Sequence, residues 1–147
     1  MSSLDTLTSK FRHVRLLLAR EKDHPAGDRN EGYDLVIPLD ADNRIDAAEW
    51  KAHQAACRVR HFRPDNEDLI GRLRRKPGGQ WYFDYFEGDM DNEIGFRIGE
   101  ERFTPGEYVS IRSGGKMHTF QIATVVPLQP TPSRQPEKTT GQRNVRI

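Results

Sequence analysis

The sequence predicts an α+β domain: a mainly antiparallel, strongly bent sheet, or a small β-barrel or roll, packed against one α-helix. Three observations predict this class. Short blocks of β-branched and aromatic residues recur along the chain, turns with Gly and Pro separate them in the C-terminal half, and one segment has a capped helical pattern. The length of 147 residues suits one compact domain.

The N-terminal strand is predicted from alternation, against a competing helical pattern. Val14, Leu16 and Leu18 alternate as in a strand, and we expect a strand over about 12–19. The polar segment 21–31 then leads into GYDLVIP (32–38), so the two strands can pair as a hairpin with a long loop. The alternative is a helix over 4–20, whose apolar stripe would contain Leu4, Leu7, Phe11, Val14 and Leu18.

Further strands are predicted in the middle and in the C-terminal half. RVRHFR (58–63) alternates, and QWYFDYF (80–86) places Trp81, Phe83 and Tyr85 on one face. FRIGEERF (96–103) carries Gly99-Glu100 as a two-residue hairpin turn, and TPGE (104–107) has the Pro and Gly of a type II turn. The pattern ends with YVSIR (108–112), a turn at 113–116 and MHTFQIATVV (117–126).

One helix is predicted over 46–57. Asp46 can cap the first backbone N–H groups, and Glu49 three residues later completes a start that resembles a capping box. Trp50, His53 and Cys57 follow on one helical face. We therefore expect Trp50 to anchor the helix on the sheet.

Six runs of the chain resemble a family of small, uncharacterised bacterial proteins. These runs are LAREKDHPAGD (18–28), GYDLVIPLDAD (32–42), CRVRHFRP (57–64), PGGQWYFDY (77–85), FTPGEYVSI (103–111) and MHTFQIATVVPL (117–128). The resemblance covers about 13–128 and implies one domain followed by a tail. It implies no activity, ligand or catalytic residue.

The domain boundary is predicted near the C-terminus. We expect a single α+β domain over 1–127. From Pro127 onward the chain holds four prolines and few large apolar residues, too few to offset the entropy of ordering the segment. Residues 128–147 are therefore predicted to form a flexible, Pro-rich tail.

Composition excludes several classes of protein. The chain has 23 Lys and Arg against 22 Asp and Glu, a net charge of +1, which argues against a globally basic nucleic-acid binder. No apolar run approaches the ~18 residues of a transmembrane helix, and the N-terminus lacks a signal-peptide pattern. The single cysteine fits a reducing compartment, so we expect a cytoplasmic protein with no membrane partner. No nucleotide-binding or hydrolase motif is present, and no cofactor is expected.

A loop that resembles an EF-hand is the sharpest local motif. In PLDADNRIDAAE (38–49), Asp40, Asp42, Asp46 and Glu49 take positions where oxygen ligands converge on Ca²⁺. Pro38 replaces the first aspartate of such loops. A polar turn followed by a capped helix explains the same residues, and we expect that simpler structure.

Charge is segregated along the chain. Residues 58–76 carry seven basic and three acidic side chains, a net of +4, whereas 81–107 carry eight acidic and two basic side chains, a net of −6. The basic segment predicts, as one alternative, a single-stranded nucleic-acid surface formed by Arg58, Arg60, Arg74, Arg75 and Trp81. The near-zero net charge argues against nucleic acid and favours ion pairs between neighbouring strands.

An alternative function is that of a small enzyme or a ligand sensor with a pocket at the mouth of the sheet. It would use His118, His61, Asp84 and Cys57. Cys57 with His53 and His61 also suggests a zinc site or a nucleophilic pair, but a lone cysteine on an inward helix face is usually a small buried apolar residue.

The function predicted first is that of a non-catalytic binding or interaction module. No catalytic arrangement stands out in the sequence, although enzymatic activity is left open. The segregated charge fits a partner protein or a second copy of the chain.

Overall fold

Eight β-strands and one short α-helix form the part of the chain that the computed structural model describes, which is residues 9–21, 25–86, 93–96, 98–113 and 115–128. The strands are β1 (Phe11–Leu18), β2 (Asp28–Pro38), β3 (Arg58–Phe62), β4 (Leu69–Arg75), β5 (Trp81–Tyr85), β6 (Glu93–Phe96), β7 (Tyr108–Ser113) and β8 (Lys116–Pro127). The helix α1 (Ala47–Ala52) is followed by one turn of 3-10 helix at Gln54–Ala56.

The strands form one antiparallel sheet that curls back on itself. Each strand pairs with the next strand in the chain, and β1 also pairs with β8. The strand order therefore closes from β8 onto β1, which is the pairing of a closed barrel. The prediction of a mainly antiparallel, strongly bent sheet with one α-helix is confirmed within the described ranges.

Alternation along the strands sends one face of the curled sheet inward. In β5 the three residues predicted to share a face, Trp81, Phe83 and Tyr85, are all buried. The ring of Tyr33 on β2 lies between two further aromatic rings, with centroid distances of 5.3 Å to Phe83 and 4.9 Å to Phe120. These large rings fill the interior and supply much of the buried apolar area that stabilises the fold.

Two glycines mark places where neighbouring strands approach very closely. A Cβ atom on Gly32 of β2 would overlap the carbonyl oxygen of Leu16 and lie 2.9 Å from its carbonyl carbon, near a bulge in the β1–β2 pairing. A Cβ atom on Gly71 of β4 would overlap the carbonyl oxygen of Asp84 and lie 2.7 Å from the Cα atom of Tyr85. The backbone of the next strand thus occupies the space of a side chain, and glycine permits this approach.

Residues 11–18 form a strand, as predicted, and not part of a helix. β1 pairs with β2 through Val14 opposite Leu35 and Leu16 opposite Tyr33, which forms the predicted hairpin. β2 begins at Asp28, earlier than the predicted start at residue 32. Residues 1–8, which contain part of the alternative helical stripe, lie outside the described residues.

The helix is shorter than the predicted 46–57. Asp46 caps it as predicted, because its side chain accepts a hydrogen bond from the N–H of Glu49 at 3.1 Å. The α-helix ends after six residues, since His53 takes non-helical angles of φ −134° and ψ 41°. Trp50 anchors the helix as expected: it is buried, and its indole N–H donates to the carbonyl oxygen of Leu73 on β4 at 2.9 Å.

The hairpin predicted within FRIGEERF is wrong in its second strand. Residues 98–100 form a turn, but the strand that follows β6 is β7, which begins only at Tyr108. Phe103 is buried instead, and its N–H donates to the carbonyl oxygen of Asn43 at 2.7 Å. The segment is therefore held against the loop before α1. The predicted turn at 104–107 is present, with Gly106 at φ 95° and a closing backbone hydrogen bond of 3.0 Å.

The connections lie at two ends of the curled sheet. We call the end with α1, the 76–80 turn and the 98–107 segment the helix end. The opposite end is the one at which β1, β3, β5 and β7 end, and we call it the hairpin end.

The described chain ends just beyond β8. Leu128, the first residue of the predicted tail, donates its N–H to the carbonyl oxygen of Phe11 at 3.2 Å. The rest of the predicted tail, 129–147, lies outside the described residues, so the single domain over 1–127 and the tail stay predictions. Within the described ranges, no helix has the length and apolar character needed to cross a membrane.

Candidate functional site

Side chains fill the inside of the curled sheet. His61 is only 4% exposed, and its ring stacks on Tyr33 with 4.2 Å between centroids and 16° between planes. Phe83 and Phe120 pack around the same tyrosine. Candidate binding surfaces are therefore the outer wall of the sheet and its two ends.

Basic and aromatic side chains share the outer wall of β3, β4 and β5. Buried and more exposed residues alternate along these strands. β3 and β5, which lie on either side of β4, are about 10 Å apart. Phe86 follows β5 directly. We call the outward-facing set the arginine face; it consists of Arg58, Arg60, Ile70, Arg72, Arg74, Tyr82, Asp84 and Phe86.

Two arginines lie opposite each other on this face. Arg58 of β3 is the register partner of Arg72 of β4, and Arg72 is in turn the partner of Asp84 on β5. Like charges directly opposite on neighbouring strands destabilise a sheet. In the described part of the chain, neither Arg58 nor Arg72 forms an ion pair with a carboxylate, because Asp84 pairs elsewhere.

The other two arginines of the face are neutralised by carboxylates. Arg74 donates from Nε to Oδ2 of Asp84 at 2.8 Å. Arg60 bonds through Nε to Asp68 at 3.0 Å and lies 3.4 Å from Asp34 through Nη1. Such partly exposed pairs contribute at most about 1 kcal/mol to stability. Because Arg60 and Arg74 are paired with carboxylates, the remaining positive charge of the face lies on Arg58 and Arg72.

Asp34 holds a cluster of basic groups beside the arginine face. Arg15 binds it with two hydrogen bonds of 2.9 and 3.1 Å, and Nε2 of His13 lies 3.2 Å away. The guanidinium carbons of Arg15 and Arg60 lie 5.1 and 5.3 Å from the ring centroid of Phe62. These two arginines cover Phe62, which explains why it is buried although it alternates with the inward residues of β3.

Two aromatic rings border the arginines. Phe86 is 52% exposed, and the guanidinium carbon of Arg72 lies 5.5 Å from its centroid. Tyr82 is half-buried, with Nζ of Lys76 at 5.5 Å from its centroid. Trp81, the ring predicted to stack on bases, is 4% exposed and packs edge-on against the tryptophan of α1 at 5.0 Å, so it belongs to the core.

The residues predicted for nucleic acid are thus divided between three places. Arg58, Arg60 and Arg74 lie on the arginine face, Arg75 lies at the helix end, and Trp81 lies inside.

Arg72 and Phe86 are members of the face that the sequence prediction omitted. The alternation of LIGRLRR (69–75) indicates which arginines point outward. The opposition of Arg58 and Arg72 depends on strand register, which the local sequence does not specify.

The residues predicted for an enzymatic pocket are divided between three places: the hairpin end, the outer wall and the helix end. His61 and His118 both lie toward the hairpin end, and each contacts a different carboxylate. Nε2 of His61 is 3.5 Å from Glu31, and Nδ1 of His118 is 2.9 Å from Glu21. Asp84 faces outward from β5 and bonds to the arginine face.

Cys57 lies apart from these groups, at the helix end. It is fully buried, and its Sγ is 3.5 Å from the carbonyl oxygen of His53, to which it donates. Burial raises the pKa of the thiol to about 12, and the negative charge of Glu49 adds to the effect. A thiol with this pKa stays protonated at neutral pH, so it is neither an activated nucleophile nor a ready metal ligand.

The EF-hand-like loop uses its carboxylates for its own structure. Asp40 accepts a hydrogen bond from the N–H of Asp42 at 2.8 Å, and Asp46 caps α1 at the N–H of Glu49. Asp46 also pairs with Lys10 at 2.7 Å, and this hydrogen bond is the main cause that lowers the pKa of Asp46. Among the described residues, no group of three or more His, Cys, Asp or Glu side chains is arranged to hold a metal ion.

Two depressions open on the described surface. One, of about 400 Å³, lies at the helix end between the 76–80 turn and residues 98–100. The other, of about 710 Å³, lies outside β1 and β8, where Tyr108 stands near residues 26–29. Neither is lined by His61, His118, Asp84 or Cys57.

Comparison with known proteins adds nothing to the geometric evidence on function. The chain matches no protein-family model, no curated protein and no solved structure.

Proposed function

We propose that the protein is a non-catalytic, cytoplasmic binding module that holds an acidic segment of a partner protein on its arginine face. The observation that carries the proposal is the opposition of Arg58 and Arg72, which have no carboxylate partner within the described residues. This arrangement costs stability when the face is empty. A carboxylate placed between the two guanidinium groups removes that repulsion and gains charge-assisted hydrogen bonds.

The chemistry of the two arginines favours a carboxylate as the bound group. A guanidinium is a planar fork that binds a carboxylate through two parallel hydrogen bonds. Adjacent strands lie about 4.8 Å apart, so Arg58 and Arg72 reach the same acidic side chain or two successive ones. The chain as a whole has a net charge of only +1 and an isoelectric point near 7.9, whereas a binder of long polyanions normally carries a larger positive excess.

Apolar surface next to the arginines supports a protein partner. Phe86 is 52% exposed and Ile70 is 37% exposed, and both border the arginines of the face. Arginine and aromatic residues are enriched in protein interfaces, where the arginine supplies direction and the ring supplies buried area. The face thus combines the two kinds of contact that a short peptide segment needs.

Two further observations support the non-catalytic and cytoplasmic parts of the proposal. The aspartate and the cysteine that a catalytic pocket would use lie apart from each other and from the two histidines. The chain has a single cysteine, which fits a reducing compartment.

A peptide-binding measurement tests the proposal. A fluorescein-labelled peptide of alternating Glu and Gly is titrated with protein, and fluorescence anisotropy gives the affinity. Replacing both central arginines, Arg58→Gln with Arg72→Gln, is expected to weaken binding at least about tenfold, because a hydrogen bond to a charged group contributes about 1.5–3 kcal/mol. The matched control, Arg102→Gln with Arg112→Gln, removes the same charge from exposed positions outside the face and should bind like the wild type. Equal losses in the two double variants, or no binding by the wild type, would refute the proposal.

Single-stranded nucleic acid is the second candidate, and one observation favours it. Arg72 lies over the ring of Phe86 and Lys76 over the ring of Tyr82, which is the combination of cation and aromatic ring that stacks bases. This alternative predicts that labelled oligothymidine binds more tightly than the acidic peptide, that affinity falls steeply with salt, and that Phe86→Ala weakens binding. Absence of a complex at low salt would eliminate it.

A second copy of the chain is one source of the acidic segment, since residues 81–107 carry a net charge of −6. Sedimentation velocity over a range of protein concentrations separates this case from a different partner. Self-association that disappears in the Arg58→Gln, Arg72→Gln variant identifies the second copy as the partner, whereas a monomer at every concentration requires a different protein.

A further inference from the structure

A cavity at the helix end lies apart from the arginine face. Its volume of about 400 Å³ falls within the range of small-molecule sites, roughly 300–1,000 Å³. The β4–β5 turn at 76–80 bounds it on one side and residues 98–100 on another. Ile45 and Ala47, at the entry to α1, complete the lining.

The lining of the cavity is both polar and apolar, and its floor is closely packed. Ile45 and Ile98 are 7% and 1% exposed, and Trp81 lies between the cavity and the core. The backbone at Gly99 lies directly against the indole edge, because a Cβ atom there would be 2.7 Å from Nε1 of Trp81. A flat ligand would therefore meet a floor that is already formed, to which these buried side chains contribute a small apolar surface.

One cation is fixed at the cavity by two contacts. Nε of Arg75 donates to the carbonyl oxygen of Gly79 at 3.2 Å, and the guanidinium carbon lies 4.9 Å from the ring centroid of Trp81. Within the described residues no acceptor binds the Nη1 and Nη2 groups of this arginine. Because the guanidinium is already held, little additional side-chain entropy is lost when a ligand binds it.

We infer that this cavity binds a small, flat organic carboxylate, with the carboxylate on the Nη groups of Arg75 and the rest of the ligand over the floor formed by Ile45, Ile98 and the indole. The planar fork of Arg75 matches a carboxylate. Glu100 also lines the cavity, so a ligand with one negative charge is favoured over a phosphate with two. This site is distinct from the arginine face, and the inference does not rest on the proposed function.

Benzoate is a suitable probe, because it combines a carboxylate with a flat apolar ring. The chain has two tryptophans, which contact each other edge-on at 5.0 Å, and one of them lines the cavity. Tryptophan fluorescence should therefore change in a saturable way with benzoate, and isothermal calorimetry measures the same affinity independently. Benzamide and inorganic phosphate serve as the uncharged and the doubly charged comparison, and both are expected to bind at least about tenfold more weakly.

The decisive variant is Arg75→Gln, a substitution at an exposed position. It is expected to weaken benzoate binding at least about tenfold. The matched control is Arg74→Gln, the neighbouring residue, which faces outward to Asp84 and should leave benzoate binding unchanged. The Arg58→Gln, Arg72→Gln variant should also bind benzoate normally, so failure of the peptide assay and failure of this one are distinguishable. No saturable signal in the wild type, equal binding of benzamide or phosphate, or an unchanged affinity in Arg75→Gln would overturn the inference.

Discussion

Replacing Gly32 with alanine tests how closely the strands of the curled sheet approach each other. The new Cβ atom would overlap the carbonyl oxygen of Leu16 and lie 2.9 Å from its carbonyl carbon, whereas carbon atoms in ordinary contact are about 3.5–4.0 Å apart. The obstacle is backbone, so β1 and β2 must separate. Overpacking strain of about 1–3 kcal/mol and the weakening of one or two ladder hydrogen bonds, each about 1 kcal/mol, add to a loss of about 3 kcal/mol.

Urea unfolding followed by circular dichroism measures this loss. Gly71→Ala should lose a similar amount, because its Cβ atom would overlap the carbonyl oxygen of Asp84. Gly78→Ala is the matched control: no atom lies within 4 Å of the added Cβ, so its stability should be unchanged or higher by about 0.4–1 kcal/mol. A free energy of unfolding for Gly32→Ala within about 0.5 kcal/mol of that for Gly78→Ala would refute the close approach.

Three further predictions concern single side chains. The thiol of Cys57 should react with a disulfide reagent only as the protein unfolds, and fast labelling of the folded protein would contradict this. Because the pKa of this thiol is raised in the folded protein, the stability that it contributes should be lost as the pH rises from 9.0 towards about 12. Asp46→Asn keeps the helix cap but removes the ion pair with Lys10. Because the pKa of Asp46 is lowered, the ion pair stabilises the fold above the ordinary value of 3.8, and this stabilisation is lost on acidification. The difference in Tm between the variant and the wild type should therefore shrink at low pH. Arg58→Glu converts the repulsive pair with Arg72 into an attractive one and should raise the free energy of unfolding by about 0.2–1 kcal/mol while weakening binding of the acidic peptide; a less stable variant would argue against the repulsion.

The parts of the fold that follow from local physics could be predicted from the sequence. The alternation of WYFDY placed β5 and its inward face, and the capping chemistry of Asp46 placed the start of α1. The second strand within FRIGEERF was predicted wrongly, because Phe103 is drawn into the core by a contact with the distant loop at Asn43. A contact of that kind depends on the tertiary structure and leaves no local pattern.

The candidate site was predictable as a set of residues but not as an arrangement. The basic segment pointed to Arg58, Arg60 and Arg74, yet strand register decides that Arg58 opposes Arg72 while Arg74 is neutralised. The alternation along β5 places Trp81 on the same face as the buried Phe83 and Tyr85. This pattern already argued against Trp81 as an exposed ring that stacks on bases.

The most direct test of the arginine face is a titration followed by nuclear magnetic resonance. Backbone amide and arginine side-chain N–H signals of isotope-labelled protein are recorded while the acidic peptide is added. We expect the largest shifts at Arg58, Arg72 and Phe86, on the outer wall of β3–β5. Shifts centred instead on the β1–β8 side, around Arg20 and Tyr108, or the absence of any saturable shift, would contradict it.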